Sequence, residues 1–130
     1  MQILIVGAGI AGLTAARKLQ ESGRSVTVLD KGRGPGGRMA TRRLGRQRFD
    51  HGAQYFSAVS PRFRRQVNEW RQAGVVDEWF RLGGAARYRA AGGMNAIAKH
   101  MAAGLDLHVS TQVTRLLFEH NQWRVETLNG

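Results

Sequence analysis

The sequence predicts an α/β fold in which parallel strands alternate with helices, and three observations carry that expectation. A short apolar run, Ile3-Leu4-Ile5-Val6, ends in glycine. A stretch of good helix formers follows from Ala11 to about Glu21, and a second strand-like segment runs from Ser25 to Leu29 and stops at Asp30. Strand, glycine turn, helix and strand within about thirty residues make one βαβ unit.

The elements follow in order. The first run is continuously apolar, as a central parallel strand buried on both faces would be. In the first helix Leu13, Ala16 and Leu19, with Ala15, form an apolar stripe, while Arg17, Lys18 and Glu21 face the other way. Gly23 is its natural stop, because glycine tolerates a left-handed backbone. Val26, Val28 and Leu29, with Ser25 and Thr27 between them, form the second strand. Residues 31–48 are rich in glycine and arginine, lack periodicity and read as loop. Ser60-Pro61 starts a helix, the serine capping it and the proline filling its first turn. Phe63, Val67 and Trp70 extend that helix at helical spacing to about residue 73, before Gly74. A short helix is expected over 95–103, closed by Gly104, and Leu105, Leu107 and Val109 then alternate as a strand. Segments 113–119 and 123–128 flank His120-Asn121-Gln122, which reads as a hairpin turn. The length suits one domain around one core.

Composition removes several classes of function. An apolar fraction of 42% argues against global disorder. No apolar run approaches the ~20 residues of a membrane span, so no membrane partner is expected. The sequence opens directly into its first strand, so no secretory leader is expected, and it has no cysteine. Both features fit a reducing, cytoplasmic setting. Without cysteine this segment builds no disulfide redox pair, thiolate nucleophile, cysteine-linked flavin or Cys-type zinc site. His100, His108 and His120 lack metal-ligand spacing, so no metal is expected. Trp70, Trp79 and Trp123 read as packing residues. The net charge is +11, and nine arginines lie between Arg33 and Arg65 against one acid, Asp50. These arginines could face the phosphates of a dinucleotide, form a nucleic-acid footprint, or be plain surface charge. A dinucleotide engages only one or two of them. A nucleic-acid surface is disfavoured because the arginines are not interleaved with stacking aromatics. Surface charge is the expected role of most.

Gly7-Ala8-Gly9-Ile10-Ala11-Gly12 fits G-x-G-x-x-G in its diagnostic context, after a strand, opening a helix, with an acid about twenty residues on. Gly7 permits the turn off the strand, Gly9 lets the backbone approach a pyrophosphate, and Gly12 lets helix and strand pack closely. The phosphates would meet the free N–H groups and positive end of the helix, with Asp30 placed for the adenosine ribose. This is a Rossmann-type FAD/NAD(P)-binding arrangement. Asp30-Lys31-Gly32-Arg33-Gly34-Pro35-Gly36-Gly37-Arg38 decides between FAD and NAD(P). A simple NAD(P) dehydrogenase, the rival reading, needs no second glycine pair and arginine here. A chain doubling back over the pyrophosphate does, so the expected cofactor is FAD.

The combination of Gly7–Gly12, Asp30, Gly36-Gly37-Arg38 and Phe49-Asp50-His51-Gly52-Ala53-Gln54-Tyr55-Phe56, continued by Gly93-Met94, resembles the renalase-like branch of the flavin amine oxidase superfamily. The resemblance implies a two-domain FAD protein whose flavin takes hydride from a small reduced substrate, an amine or a dihydronicotinamide, and passes electrons to oxygen. It places Ala11 at the phosphate turn, Asp30 with its neighbour Lys31 at the adenosine ribose, and Gly37 and Arg38 at the phosphates or the chain near them. It sets Gln54 and Tyr55 beside the flavin ring, in a turn made possible by Gly52, and Val113, in the strand after Gly104, at the adenine edge. Tyr55 serves equally well as substrate face or as packing. His51 fits a local structural hydrogen bond better than proton transfer. No residue is assigned a catalytic role, since hydride transfer to a flavin requires none here. Two departures stand out. The connection from Trp79 to Gly93 is short, and the chain stops at Gly130, before the segments that in the family rejoin the sheet and complete the flavin site. Residues 1–130 are therefore expected to be either the N-terminal, FAD-binding portion of a larger flavoprotein or a truncated form of one, ending in a β-hairpin. Weak FAD binding by this chain alone, and self-association through an exposed sheet edge, are the corollaries.

Overall fold

The computed structural model describes residues 2–128. The chain begins with β1 (Gln2–Val6), α1 (Ile10–Glu21), β2 (Ser25–Leu29), a single 3₁₀ turn at Gly37–Met39, β3 (Thr41–Leu44) and β4 (Gln47–Asp50). It continues through α2 (Pro61–Gln72), β5 (Val76–Leu82), β6 (Ala85–Ala90), α3 (Asn95–Ala102), β7 (Asp106–His108), β8 (Val113–Glu119) and β9 (Gln122–Thr127). Where the length suggests one core, these elements group into two compact units, each with buried residues of its own. One unit comprises the residues up to Gly37 together with those from Met101 on; the other is Arg38–His100. α3 starts in the second unit and ends in the first.

The first unit contains the expected βαβ. β1 and β2 pair in parallel with Ile3 opposite Val26 and Ile5 opposite Val28, and β7 joins the far side of β2, giving the parallel order β1-β2-β7. Leu13 and Ala16 of α1 are fully buried with Val28, so the apolar stripe of the helix packs as its spacing dictates; Ala15 stays exposed. Arg17 does not face solvent alone. Its guanidinium donates to the carbonyls of Met101 and Ala103, and Gln20 donates to that of Gly104. These bonds satisfy carbonyl oxygens at and just beyond the C-terminus of α3. β1 departs from its expected place. Among the described residues only β2 pairs with it, so it is an edge strand, with Leu4 37% and Val6 54% exposed. A continuous apolar run states that a strand is built to be covered on both faces without stating what covers it. β8 and β9 form the expected antiparallel hairpin, turned by His120 and Asn121, both at positive φ. The described strand β7 is shorter than the alternation of Leu105, Leu107 and Val109 suggested.

The second unit contains two hairpins that the sequence reading did not resolve. Residues 41–48, part of the stretch 31–48 expected as loop, form β3 and β4 together with Phe49 and Asp50, with Thr41 opposite Asp50 and Arg43 opposite Arg48. Charged residues at five of these ten positions erase the apolar alternation there. β5 and β6 are joined by Gly83-Gly84, both at positive φ, a two-residue turn whose twist matches that of the strands. α2 begins as expected, with the Ser60 hydroxyl accepting from the Phe63 N–H and Pro61 in the first turn. It buries Val67 and Trp70. Phe56, Phe63, Trp70 and Tyr88 form a ring cluster with centroids 5.7–6.3 Å apart.

The second unit also holds thirteen of the 20 basic residues and four of the nine acids, so +9 of the net +11 resides in it. All four arginines of β3, β4 and their turn are exposed, as surface charge should be.

Two outcomes follow from this packing. Leu13→Ala, which leaves a void at a fully buried position, should cost about 2–5 kcal/mol in urea denaturation. In the sheet, the Thr27 hydroxyl donates to Asp106 at 2.7 Å and, with a smaller contribution from His108, holds that carboxyl below its ordinary value of 3.8. A lowered folded-state value stabilises the fold above the ordinary carboxylate range and loses that contribution as pH falls through the lowered value. Thr27→Val should move the Asp106 titration, followed by carboxyl NMR, back up toward 3.8.

Candidate dinucleotide-binding site

The site is built where β1 runs into α1. Gly7 turns the chain off the strand at φ +105°, a left-handed conformation that a side chain would resist. Gly9 is the N-cap of α1, and no side chain caps the helix. Among the described residues, no protein acceptor receives the N–H groups of Gly9, Ile10, Ala11 or Gly12. No acidic side chain lies in the first turn to offset the positive end of the helix dipole. Space is kept open in front of these donors. A Cβ added at Gly7 or Gly9 would meet nothing within 4 Å, whereas one at Gly12 would overlap the Gly7 carbonyl oxygen and lie 3.3 Å from Ile5 Cγ2. Gly7 and Gly9 thus leave room for a ligand, while Gly12 lets helix and strand touch. A bare, uncapped helix start facing an open cradle suits a diphosphate.

The second glycine pair does double back. Gly36 donates to the Ala8 carbonyl at 2.9 Å, and a Cβ on Gly37 would lie 3.3 Å from Gly9 Cα. Asp30 faces this turn, with its oxygens already engaged. Oδ2 accepts from the Ala8 N–H at 2.5 Å and Oδ1 from the Gly32 N–H at 2.7 Å. Each oxygen keeps a lone pair, so the carboxylate staples the phosphate turn and retains acceptor capacity for a sugar. Its backbone is fixed as well, the N–H donating to His108 and the carbonyl accepting from Thr111. Ser110, at φ +52°, donates to the Gly32 carbonyl. These ties from residues 108–111 carried no sequence signal, because backbone bonds between distant segments leave no mark on residue type. Lys31 is exposed and has no partner among the described residues.

Val113 begins β8 rather than lying in β7, the strand directly after Gly104, and pairs with Thr127 two residues beyond the Thr111–Asp30 bond. Gly7, Gly9, Ala11, Gly12, Asp30 and Gly37 come together in the first unit.

Arg38, Gln54 and Tyr55 belong to the second unit. The Arg38 guanidinium is exposed and has no partner among the described residues, while its carbonyl accepts from the Ala53 N–H at 2.9 Å. Gly52 lies so close that a Cβ there would overlap the same carbonyl. Tyr55, 44% exposed, packs edge-on against Phe80 at 5.3 Å and near Trp79 at 6.4 Å, which makes it part of an aromatic surface. His51 is exposed and has no hydrogen-bond partner among the described residues, contrary to the expectation of a local structural bond.

The NAD(P)-binding Rossmann-like domain family matches residues 5–70, which takes in the whole glycine turn, Asp30 and the second glycine pair. The chain belongs to this family. Its Rossmann-like turn is the dinucleotide site. Among curated proteins, it is 43% identical to the 1-hydroxycarotenoid 3,4-desaturase of a Flavobacterium over 42% of this chain and 11% of the relative. It is 51% identical to the L-amino-acid oxidase of Siganus canaliculatus over 32% of this chain and 8% of the relative. It is 42% identical to Protein FLOWERING LOCUS D of Arabidopsis thaliana over 44% of this chain and 7% of the relative. The matched segments span about a tenth or less of these relatives. No described helix is long and apolar enough to cross a membrane.

Gly12→Ala should disrupt this Rossmann-like turn, because backbone must move to admit one methyl. The expected loss is about 1–3 kcal/mol in urea denaturation, with the β1–α1 amide signals displaced in NMR spectra.

Proposed function

We propose that the chain holds the ADP half of FAD for a flavin-dependent oxidoreductase of the amine oxidase type, on the renalase-like branch. The substrate on this reading is a small reduced molecule, an amine or a dihydronicotinamide, and the electrons pass to oxygen. One observation carries it: the uncapped start of α1 faces open space while Gly36-Gly37 folds back onto Ala8 and Gly9. The names of the relatives, an L-amino-acid oxidase among them, support oxidation of small amine-bearing molecules. FAD, when bound, supplies the hydride-accepting chemistry. The chain's own residues bind and orient. On this reading the N–H groups at Gly9 and Ala11 receive the pyrophosphate, Asp30 with Lys31 holds the ribose end, and Arg38 neutralises phosphate charge. Gln54 and Tyr55 border the flavin ring, and Val113 meets the adenine.

Self-association through the open edge of β1 belongs to the same proposal, supported by the exposure of Leu4 and Val6. An NAD(P) dehydrogenase remains the rival, and it leaves the return of Gly36-Gly37 without a purpose.

Gly9→Ala separates binding from folding. Gly9 has extended backbone (φ −77°, ψ 177°) and free space at its Cβ, so alanine fits the fold but intrudes on the ligand. Its stability should stay within about 1 kcal/mol of the parent chain. Its FAD affinity, read by quenching of flavin fluorescence, should fall at least about tenfold, one factor of ten being about 1.4 kcal/mol. Undiminished FAD binding by this variant, or tighter binding of NADH than of FAD by the parent chain, would overturn the assignment.

A further inference from the structure

We infer that Asp50 is a positioning residue that fixes Arg38 and the Gln54–Tyr55 segment relative to one another. It does so by pinning the base of the β3–β4 hairpin to the start of α3. The inference rests on the proposed flavin contacts of those residues and adds a role that the motif itself does not state. Asp50 closes the hairpin opposite Thr41. Its Oδ1 accepts two bonds, one from the Thr41 hydroxyl and one from the Met94 N–H at 2.9 Å. The Thr41 hydroxyl oxygen in turn accepts from the Asn95 N–H at 3.2 Å. Two unpaired donors at the start of α3 are therefore capped by side chains more than forty positions earlier in the chain, in place of a local cap.

The junction is tight. Gly93, at φ +93°, packs against Thr41 so closely that a Cβ there would lie 2.7 Å from Thr41 Cγ2. Arg48 adds a bond to the Gly92 carbonyl at 3.0 Å. The hairpin base continues outward from Asp50 through the Ala53 N–H to the Arg38 carbonyl, with Gly52 seated on that carbonyl. Arg38 and Ala53 are thereby cross-linked three residues beyond the Thr41–Asp50 pair, and Gln54 and Tyr55 follow directly. Phe56, the next residue, is bridged to Tyr88 in both directions. The segment bearing Gln54 and Tyr55 is thus held at both ends, and Asp50 anchors the end nearer Arg38.

Both bonds to Asp50 end on one oxygen, and this makes the idea testable by chemistry alone. An amide oxygen in Asp50→Asn can accept both bonds; Asp50→Ala accepts neither. In the full chain, amide hydrogen exchange by NMR should show Met94, Asn95 and Ala53 exchanging about tenfold or more faster in Asp50→Ala and near the parent rate in Asp50→Asn. Added FAD should shift the Gln54 and Tyr55 signals in the parent and in Asp50→Asn but not in Asp50→Ala. If Asp50→Ala does not fold, Thr41→Val removes the hydroxyl at nearly constant shape and should accelerate Asn95 and Ala53 in the same way. Unchanged exchange at Ala53 in Asp50→Ala or Thr41→Val would overturn the inference. So would Asp50→Asn behaving like Asp50→Ala, which would make the effect one of charge. FAD shifting neither Gln54 nor Tyr55 in the parent chain would refute the proposed flavin contacts and, with them, this role of Asp50, whatever the exchange rates show about the anchor.

Discussion

A helix start with no cap is the constraint on which the first unit depends. Every α-helix leaves its first N–H groups unpaired, and a serine, threonine, aspartate or asparagine ordinarily answers one of them. Here the cap position is glycine, the first turn has no acid, and the carboxylate nearest the turn is spent on the neighbouring Ala8 N–H. The strand, the tight turn, the contact at Gly12 and the return of Gly36 and Gly37 hold that bare end in a defined place without covering it. The free donors and the positive end of the helix dipole at that position favour a negatively charged ligand. The same chain caps its second helix with Ser60 and its third with Asp50 and Thr41. The omission at α1 is therefore specific to that helix.

Asp30 shows how one side chain serves two purposes. Its two backbone bonds define the shape of the phosphate turn, and its remaining lone pairs supply acceptors toward whatever lies beyond. A shape-defining carboxylate is also more rigid than one waiting free in solvent, because its rotamer is set before any ligand arrives. Preorganisation of this kind lowers the entropy lost on binding.

The first unit was largely legible in the residues. β1, α1, β2 and the β8–β9 hairpin follow from apolar periodicity and glycine punctuation, and the roles of Gly7, Gly9 and Gly12 follow from their spacing. What was not legible has physical causes. Thr41–Asp50 carries arginine where a strand would show alternation, so its hairpin is visible only through backbone pairing and the Asp50 bonds. β5 and β6 are marked only by the turn dipeptide Gly83-Gly84, because the mixed charge along both strands hides their alternation. The edge position of β1 could not be read, because an apolar strand looks the same with one neighbour or two. The placement of Thr111 and Ser110 around Asp30 rests on backbone atoms alone, which no residue pattern reports.

The uneven division of charge has a kinetic consequence. With +9 gathered in one unit and the other nearly balanced, the molecule attracts anions from distances well beyond any hydrogen bond. At low ionic strength that long-range pull raises the frequency of encounters with a dinucleotide. At physiological salt the attraction fades beyond roughly 8 Å. The short-range donors at the start of α1 lose little under the same conditions, so salt governs how often the ligand arrives far more than how long it stays.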